Sequence, residues 1–109
     1  RAVRGQGRLG DAEPLVREEL VASRALKGDG HPDVLISLST LIDCYVGQRK
    51  WVESEPLARE EVSIVRRHYG HAHPRALVAG HRLAHVLHAQ GKEDKARTVQ
   101  AEVLDGLMA

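Results

Sequence analysis

Three histidines at helical spacing are the side chains in this sequence best suited to chemistry. His81, His85 and His88 are four and three positions apart, so a helix would align their imidazoles in one stripe. Imidazoles at positions i and i+4 can share a zinc ion, and Asp43 could add a carboxylate from a neighbouring helix. We favour the alternative, a polar surface that faces a partner or solvent, because no cysteine or second carboxylate joins the cluster.

Other reactive side chains give little support for catalysis. Ser37, Ser39 and Asp43 could join a histidine in a triad, but no strand-to-helix turn is present to strain a nucleophilic serine. Cys44 follows Asp43, whose negative charge raises the pKa of a thiol and disfavours a reactive thiolate. The glycine-rich stretch 5–10 has no preceding strand, so it does not match a phosphate-binding loop. We therefore expect a protein that is not an enzyme and that holds no metal or cofactor.

Composition narrows the class of protein further. The 109 residues carry a formal net charge of +1 and only 3% aromatic residues, whereas nucleic-acid binders use basic excess and aromatic stacking. No apolar run approaches the roughly 20 residues that span a bilayer. The lone cysteine cannot form an internal disulfide, which fits a reducing compartment. The sequence therefore predicts one cytoplasmic domain over residues 1–109, without membrane or nucleic-acid partners.

A repeat of 42 residues organises the chain. The tripeptide Glu-Pro-Leu at 13–15 recurs at 55–57, and the dipeptide His-Pro at 31–32 recurs at 73–74. Several motifs at one fixed offset are the mark of a repeat architecture. The recurrence of histidine before proline indicates a structural role in the turn between repeats. The same offset relates Gly28 to Gly70, Leu35 to Leu77, Leu41 to Leu83, and Gln6 to Gln48 and Gln90.

Each repeat unit is predicted to contain two helices. Apolar residues after each His-Pro recur at the spacing of an amphipathic helix, and proline suits the first helical turn. Leu41 and Leu83 should be buried at equivalent positions between paired helices. The units are 6–47, 48–89 and a partial 90–109, and the predicted helices are 8–27, Pro32 to the break at Gly47, 50–69, 74–90 and 92–107.

Proline inside a predicted helix needs an explanation. Pro56 lies several residues after the start predicted near Lys50, and an internal proline removes one backbone hydrogen bond. A helix that starts at Pro56 with Ser54 as its cap is the alternative. We favour a helix that starts near Lys50 and is kinked at the proline, because Trp51 and Val52 need an apolar partner.

Two motifs carry a resemblance to a known family. They are Gln-Gly-Arg-Leu-Gly-Asp-Ala-Glu-Pro-Leu at 6–15 and Gly-Asp-Gly-His-Pro-Asp-Val at 28–34. Together they resemble the 42-residue tetratricopeptide repeat of kinesin light chains and nephrocystin-like proteins, over nearly the whole chain. The resemblance implies an all-α solenoid of about five helices, a right-handed superhelix of antiparallel helix pairs. In that family the first helices line a concave groove that binds peptide segments, so we expect a protein–protein interaction scaffold.

On this resemblance, outward residues of the first helices form the partner-binding groove. Ser39-Thr40 and His81-Arg82 stand where kinesin light chains carry paired asparagines, so their cargo preference does not transfer. Arginines and histidines on this surface favour an acidic partner. The expected groove residues are Arg1, Arg4, Ile36, Ser39, Asp43, Val46, Val78, His81, His85 and His88.

The ends of the predicted array are expected to be open. The register places residues 1–5 in the last turn of a first helix, so the chain resembles a segment of a longer array. Helix 8–27 should then expose Leu15 and Leu20 on the side where its missing partner would sit. Large exposed apolar patches of this kind usually mark an interface. The alternative function is therefore self-association through the bare end helices.

Paired glutamates on the second helices are predicted to be solvated. The pairs at 18–19 and 60–61 have flanking arginines, which is typical of an exposed helix face with local ion pairs. The tetratricopeptide family usually has a small residue at the positions of Glu19 and Glu61. Tight packing is therefore not expected at these two points.

Overall fold

Five helices account for the described part of the chain. The computed structural model describes the backbone of residues 4–108 and the side chains of residues 12–108. Within this part no strand is present, and the predicted all-α class is confirmed. The helices are α1 (Arg4–Lys27), α2 (Pro32–Gly47), α3 (Trp51–Tyr69), α4 (Pro74–Ala89) and α5 (Glu93–Met108).

The chain divides into two compact units, Arg1–Ser54 and Glu55–Ala109. In the first unit α1 packs against α2, and in the second α4 packs against α5. Apolar side chains are buried in both units, since their removal from water is the dominant favourable term in folding. The buried residues include Leu20, Val34, Leu35, Leu38, Leu41 and Ile42 in the first unit, and Val62, Ile64, Val65, Leu83, Val86 and Leu87 in the second.

The repeated histidines cap α2 and α4, which are the first helices of the two repeats. The Nδ1 atom of His31 accepts a hydrogen bond from the backbone N–H of Asp33 at 3.1 Å. His73 Nδ1 accepts from the N–H of Arg75 at the same distance. A side-chain acceptor at this position satisfies one of the N–H groups that lack an intrahelical partner. The structural role predicted for the repeated histidines is confirmed.

Leu41 and Leu83 are both buried, as the repeat register predicts. The prediction for α1 was wrong in one of its two residues, because Leu15 is 68% exposed but Leu20 only 4%. Five positions along a helix rotate a side chain by about 140° relative to the first. Leu20 therefore faces the contact with α2, and Leu15 lies on another side of α1.

Truncation of the two equivalent leucines should test the register. Leu41→Ala and Leu83→Ala should each lower the free energy of unfolding by about 2–5 kcal/mol, because each leaves a cavity in the core. Leu107→Ala is the matched control, since Leu107 is exposed on α5. Urea denaturation measures all three, and a loss below about 0.5 kcal/mol at either buried site would contradict the register.

The start of α3 was predicted correctly but for the wrong reason. The helix begins at Trp51 and continues through Pro56. Val52, however, is 76% exposed, so it has no need of the apolar partner invoked for it. The helix starts here because the carbonyl of Lys50 accepts the N–H of Ser54 at 3.0 Å, closing the first turn before the proline is reached.

Equivalent turns after α2 and α4 contain a residue in the left-handed region. Arg49 has φ +60°, and Gly91, 42 positions later, has φ +78°. A side chain in this region brings Cβ too close to the following carbonyl, whereas glycine adopts it without that contact. The first unit therefore carries backbone strain at a position where the second unit does not.

Exchanging the residue types at these turns should change stability in opposite directions. Arg49→Gly should raise the free energy of unfolding by roughly 0.5–1 kcal/mol, and Gly91→Ala should lower it by about 1 kcal/mol. Thermal and urea unfolding would measure both changes. A destabilised Arg49→Gly variant would show that the side chain contributes more than its backbone conformation costs.

Two glycines allow α5 to pack closely in the second unit. A Cβ added at Gly106 would lie 2.6 Å from the backbone carbonyl oxygen of His71, which cannot move aside as a flexible side chain could. A Cβ at Gly80 would overlap the side chain of Val103. The small residues therefore set the distance between α5 and the segment formed by α4 and its preceding turn.

Candidate functional site

The outer side of α2 presents a mixed apolar and polar surface, here called the α2 face: Ile36, Ser39, Asp43 and Val46. Ile36 is 55% exposed, Asp43 is exposed, and Ser39 and Val46 are half-buried. Their spacing of three, four and three positions keeps them on one side of the helix. Buried residues such as Leu35, Leu38 and Ile42 occupy the other side.

The equivalent side of α4, here called the α4 face, consists of Val78, His81, His85 and His88. Val78 is 57% exposed, and the three histidines are exposed. Its members follow those of the α2 face at the 42-residue offset. The two faces thus have the same geometry and different chemistry, with a carboxylate on α2 and imidazoles on α4.

The remaining groove candidates lie at the start of the chain. Arg1 lies outside the described residues. Arg4 is the first residue of α1, and its side chain is outside the described part. The α2 and α4 faces are therefore the part of the expected groove that can be described.

One charged contact on the α4 side was predicted incorrectly. Glu61 was expected to be solvated, but it is only 4% exposed and its two oxygens each accept from the guanidinium of Arg82 at 2.7 Å. A bidentate pair satisfies a carboxylate that burial has removed from water. Glu19, the equivalent residue, is exposed as predicted and accepts from Ser37 Oγ at 3.2 Å.

Glu61 is buried and Glu19 is exposed because different side chains lie opposite them. Arg82 lies 42 positions after Thr40, whose hydroxyl bonds the backbone carbonyl of Ile36. A guanidinium on α4 reaches Glu61 on α3, and the short threonine side chain has no comparable reach. The Arg82 charge on the α4 side is thereby paired.

The histidine nearest the end of α4 also has a carboxylate neighbour. His88 Nδ1 lies 2.6 Å from Glu93 Oε1, and both side chains are exposed. Among the described residues, no group of three His, Cys, Asp or Glu side chains is arranged to hold a metal ion. The zinc interpretation of the histidine stripe therefore gains no geometric support.

The end of each first helix is held by a glutamate from the preceding helix. In the first unit, Glu13 Oε1 accepts from Gln48 Nε2 at 3.1 Å and from Lys50 Nζ at 3.3 Å. In the second unit, Glu55 Oε1 accepts from Gln90 Nε2 and Lys92 Nζ, both at 2.7 Å. We call this contact the glutamate junction. Its members repeat at the 42-residue offset.

An arginine one turn further along completes each junction. Arg17 donates to Glu13 Oε2 at 2.6 Å, and Arg59 donates to Glu55 Oε2 at 3.0 Å. Each glutamate thus has three charged or polar donors while its own side chain is about one-seventh exposed. The junctions fix the turns that end α2 and α4, and hence the ends of the two candidate faces.

The junctions were not predicted, although a signal for them was present. Glu, Gln and Lys recur together at one offset, and residues of opposite charge that repeat in step are candidates for a repeated contact. Their distance along the chain hid the pairing, since Gln90 and Lys92 lie 35 and 37 positions after Glu55.

Hydrogen bonds and burial shift the pKa values of Glu55, Glu13 and Cys44. Hydrogen bonding by Lys92 lowers the pKa of Glu55 from its ordinary 4.5 to about 2. Burial raises the pKa of Glu13, but the donors Gln48 and Lys50 outweigh it, so the net shift is downward. Burial also raises the pKa of the Cys44 thiol, with smaller contributions from Glu13 and Asp43. An unreactive thiol was predicted from Asp43, and burial is the larger cause.

A cleft of about 830 Å³ lies between α3 and α5 in the second unit. Val62, Leu83 and Val99 contribute apolar lining, and Arg66 bridges to Glu102 across it at 2.9 Å. It was not predicted, because it forms where helices distant in sequence approach each other. Its lining residues are Glu55, Arg59, Val62, Ser63, Arg66, Leu83, Lys95, Thr98, Val99 and Glu102.

No protein-family model matches the sequence, and no curated protein is significantly similar to it. The tetratricopeptide resemblance therefore rests on the repeated sequence motifs alone. Across the described residues, no helix combines the length and apolar character required to cross a membrane.

Removal of the Glu55 charge should test the junction through its pH dependence. Because the folded-state pKa lies below the ordinary value, Glu55 stabilises the fold at neutral pH, and this contribution is lost as pH falls from about 4.5 towards 2. Glu55→Gln should lower the free energy of unfolding by about 1.5–3 kcal/mol at pH 7. The difference from wild type should shrink below pH 4.5.

Glu18→Gln is the matched control, since Glu18 is an exposed mid-helix glutamate. It should change stability by less than about 0.5 kcal/mol at any pH. Urea titrations at a series of pH values measure both variants. A Glu55→Gln difference that stays constant down to pH 3 would contradict the junction as described.

Proposed function

We propose that the chain is a tetratricopeptide-like α-solenoid that binds a segment of a partner protein through the α2 and α4 faces. The observation that carries the proposal is the repetition of an exposed apolar residue, Ile36 or Val78, among polar groups on otherwise buried helices. Apolar contact supplies affinity, and the polar neighbours supply orientation and selectivity. In tetratricopeptide solenoids, the corresponding faces line a concave groove.

Repeated scaffold contacts support the proposal. The histidine caps, the glutamate junctions and the left-handed turns recur at the offset of 42 residues. These contacts hold each first helix at both ends, so the exposed face is presented on a rigid element. Rigid presentation lowers the entropy lost when a partner binds. A single enclosed catalytic centre would have no need of two such faces.

The chemistry of the α4 face favours an acidic partner segment with an apolar side chain. Val78 would contact the apolar group, while His81 and His85 would donate to carboxylates. Imidazole gains a positive charge on acidification near neutrality. The groups around this face are Arg82, paired with Glu61, and Glu93 beside His88. Glu93 offsets charge at one end, so the central imidazoles carry the preference.

Binding to defined peptides should test this function. Arrays of short helical peptides that differ in Asp, Glu, Lys and Leu content serve as the probes, and fluorescence anisotropy measures the dissociation constant. Acidic peptides with leucine should bind best, and more tightly at about pH 6 than at about pH 7.5. The triple variant His81→Ala, His85→Ala, His88→Ala should weaken that binding about tenfold, or 1.4 kcal/mol.

The double variant His68→Ala, His71→Ala is the matched control, because both histidines are exposed and lie outside the α4 face. It should leave binding unchanged. Equal loss in the triple and control variants, or tightest binding of basic peptides, would overturn the proposal. Zinc should not raise the melting temperature, and a large rise reversed by a chelator would assign the stripe to metal binding.

A further inference from the structure

The cleft between α3 and α5 in the second unit takes no part in the proposed binding faces. Its volume of about 830 Å³ lies within the range of roughly 300–1,000 Å³ that is usual for sites of small organic ligands. Val62, Leu83 and Val99 form its apolar floor, and all three are buried. Every lining residue lies between positions 55 and 102, so both walls and the floor belong to the described part of the chain.

Two ion pairs fix the register between the walls of the cleft. Lys92, just before α5, donates to Glu55 at 2.7 Å, and Arg66 donates to Glu102 at 2.9 Å. The partners are 37 and 36 positions apart along the chain. Lining residues with this separation therefore lie opposite each other across the cleft.

Arg59 and Lys95 are two lining cations with this separation, since 95 − 59 = 36. Lys95 is exposed and makes no ion pair or hydrogen bond with the described residues. Arg59 donates to Glu55 through Nε at 3.0 Å, which leaves its two terminal amino groups without an acceptor in the described part of the chain. Two cations with unused N–H donors thus face each other across the cleft.

The first unit shows how an arginine at this position is satisfied when a second acceptor is present. Arg17, the equivalent of Arg59, donates to Glu13 and also to the hydroxyl of Tyr45. The residue 42 positions after Tyr45 is Leu87, which has no side-chain oxygen. The guanidinium of Arg59 is therefore available to an acceptor from outside the chain.

The carboxylates in and around the cleft already have partners. Glu55 accepts from three side chains, and Glu102 accepts from an arginine. Glu60, Glu93 and Asp94 do not line the cleft, and the last two lie beside a histidine and an arginine of their own. The unpaired charge in the cleft is therefore positive, and it lies at the end nearest Glu55.

We propose that this cleft binds a small organic acid with an apolar body. The carboxylate accepts charge-assisted hydrogen bonds from Arg59 and Lys95, which orient the ligand. The apolar body packs on Val62 and Val99, which lie opposite each other because they are 37 positions apart. The ion pair of Arg66 closes the far end, about 10 Å further along α3. The cleft shares no residue with the α2 and α4 faces, so this site is independent of the proposed partner binding.

Octanoate is the probe for this site, with acetate and octylamine as its controls. Acetate keeps the carboxylate without the apolar body, and octylamine keeps the body but carries a positive charge at pH 7. Isothermal titration calorimetry of the 109-residue chain should show octanoate binding about tenfold or more tightly than acetate, because burial of each methylene adds affinity. Octylamine should not bind, and added salt should weaken the binding of octanoate.

Two variants test the ends of the ligand separately. Lys95→Gln should weaken octanoate binding about tenfold, because a charge-assisted hydrogen bond is lost. Ser63→Trp should block the apolar part, and the equivalent position already carries the exposed Val21. Arg97→Gln is the matched control, since Arg97 is an exposed cation of α5 outside the cleft, and it should bind as wild type. Circular dichroism checks that each variant is folded.

The contrary results are equally definite. Equal binding of octanoate and octylamine would show that the cleft does not select anions, and equal losses in Lys95→Gln and Arg97→Gln would assign the effect to overall charge. Folded wild type that does not bind octanoate would exclude the site. The triple histidine variant should bind octanoate as wild type does, and a loss there would place the anion on the α4 face instead. Lys95→Gln should leave peptide binding unchanged, which separates failure of this site from failure of the proposed function.

Discussion

Each unit depends on one contact, in which a nearly buried glutamate accepts hydrogen bonds from the turn that ends the next helix. Glu55 joins α3 to the end of α4 through Gln90 and Lys92, and Glu13 joins α1 to the end of α2 in the same way. A carboxylate removed from water is stable only with several donors. The junction therefore requires helix and turn to be placed together, and any change in their spacing would leave a charge unpaired.

Around this repeated contact, the two units differ in how equivalent side chains pack and form hydrogen bonds. The first unit has Leu38 where the second has Gly80, which accommodates Val103. Glu61 meets Arg82, whereas its equivalent Glu19 meets a serine hydroxyl. Apolar packing tolerates changes that conserve volume across several positions together. Polar junctions tolerate fewer changes, because every buried donor and acceptor must still be matched.

Much of the architecture could be predicted because it depends on local sequence motifs that recur at a fixed offset. The helices, the capping role of His31 and the burial of Leu41 and Leu83 all follow from spacing and turn chemistry. The predictions that failed concerned side chains whose burial depends on how a helix is oriented or on a partner distant in sequence. Leu20 and Glu61 were expected to be exposed, and their burial is decided by residues of other helices.

The candidate site was only partly predictable, for a related reason. The spacing of His81, His85 and His88 predicts a shared stripe, and the structure places these side chains on one exposed face. The cleft between α3 and α5 and the partners of the glutamates have no counterpart in any local pattern. Contacts between residues about 35 positions apart emerge only when the repeat has folded.

Separation of the polar junctions from the exposed faces leaves the faces free to differ. Asp43 on α2 and His85 on α4 occupy equivalent positions, yet neither takes part in a glutamate junction. A substitution at an exposed apolar position of a face, such as Ile36 or Val78, should therefore change stability by no more than the roughly 0.5 kcal/mol typical of surface sites.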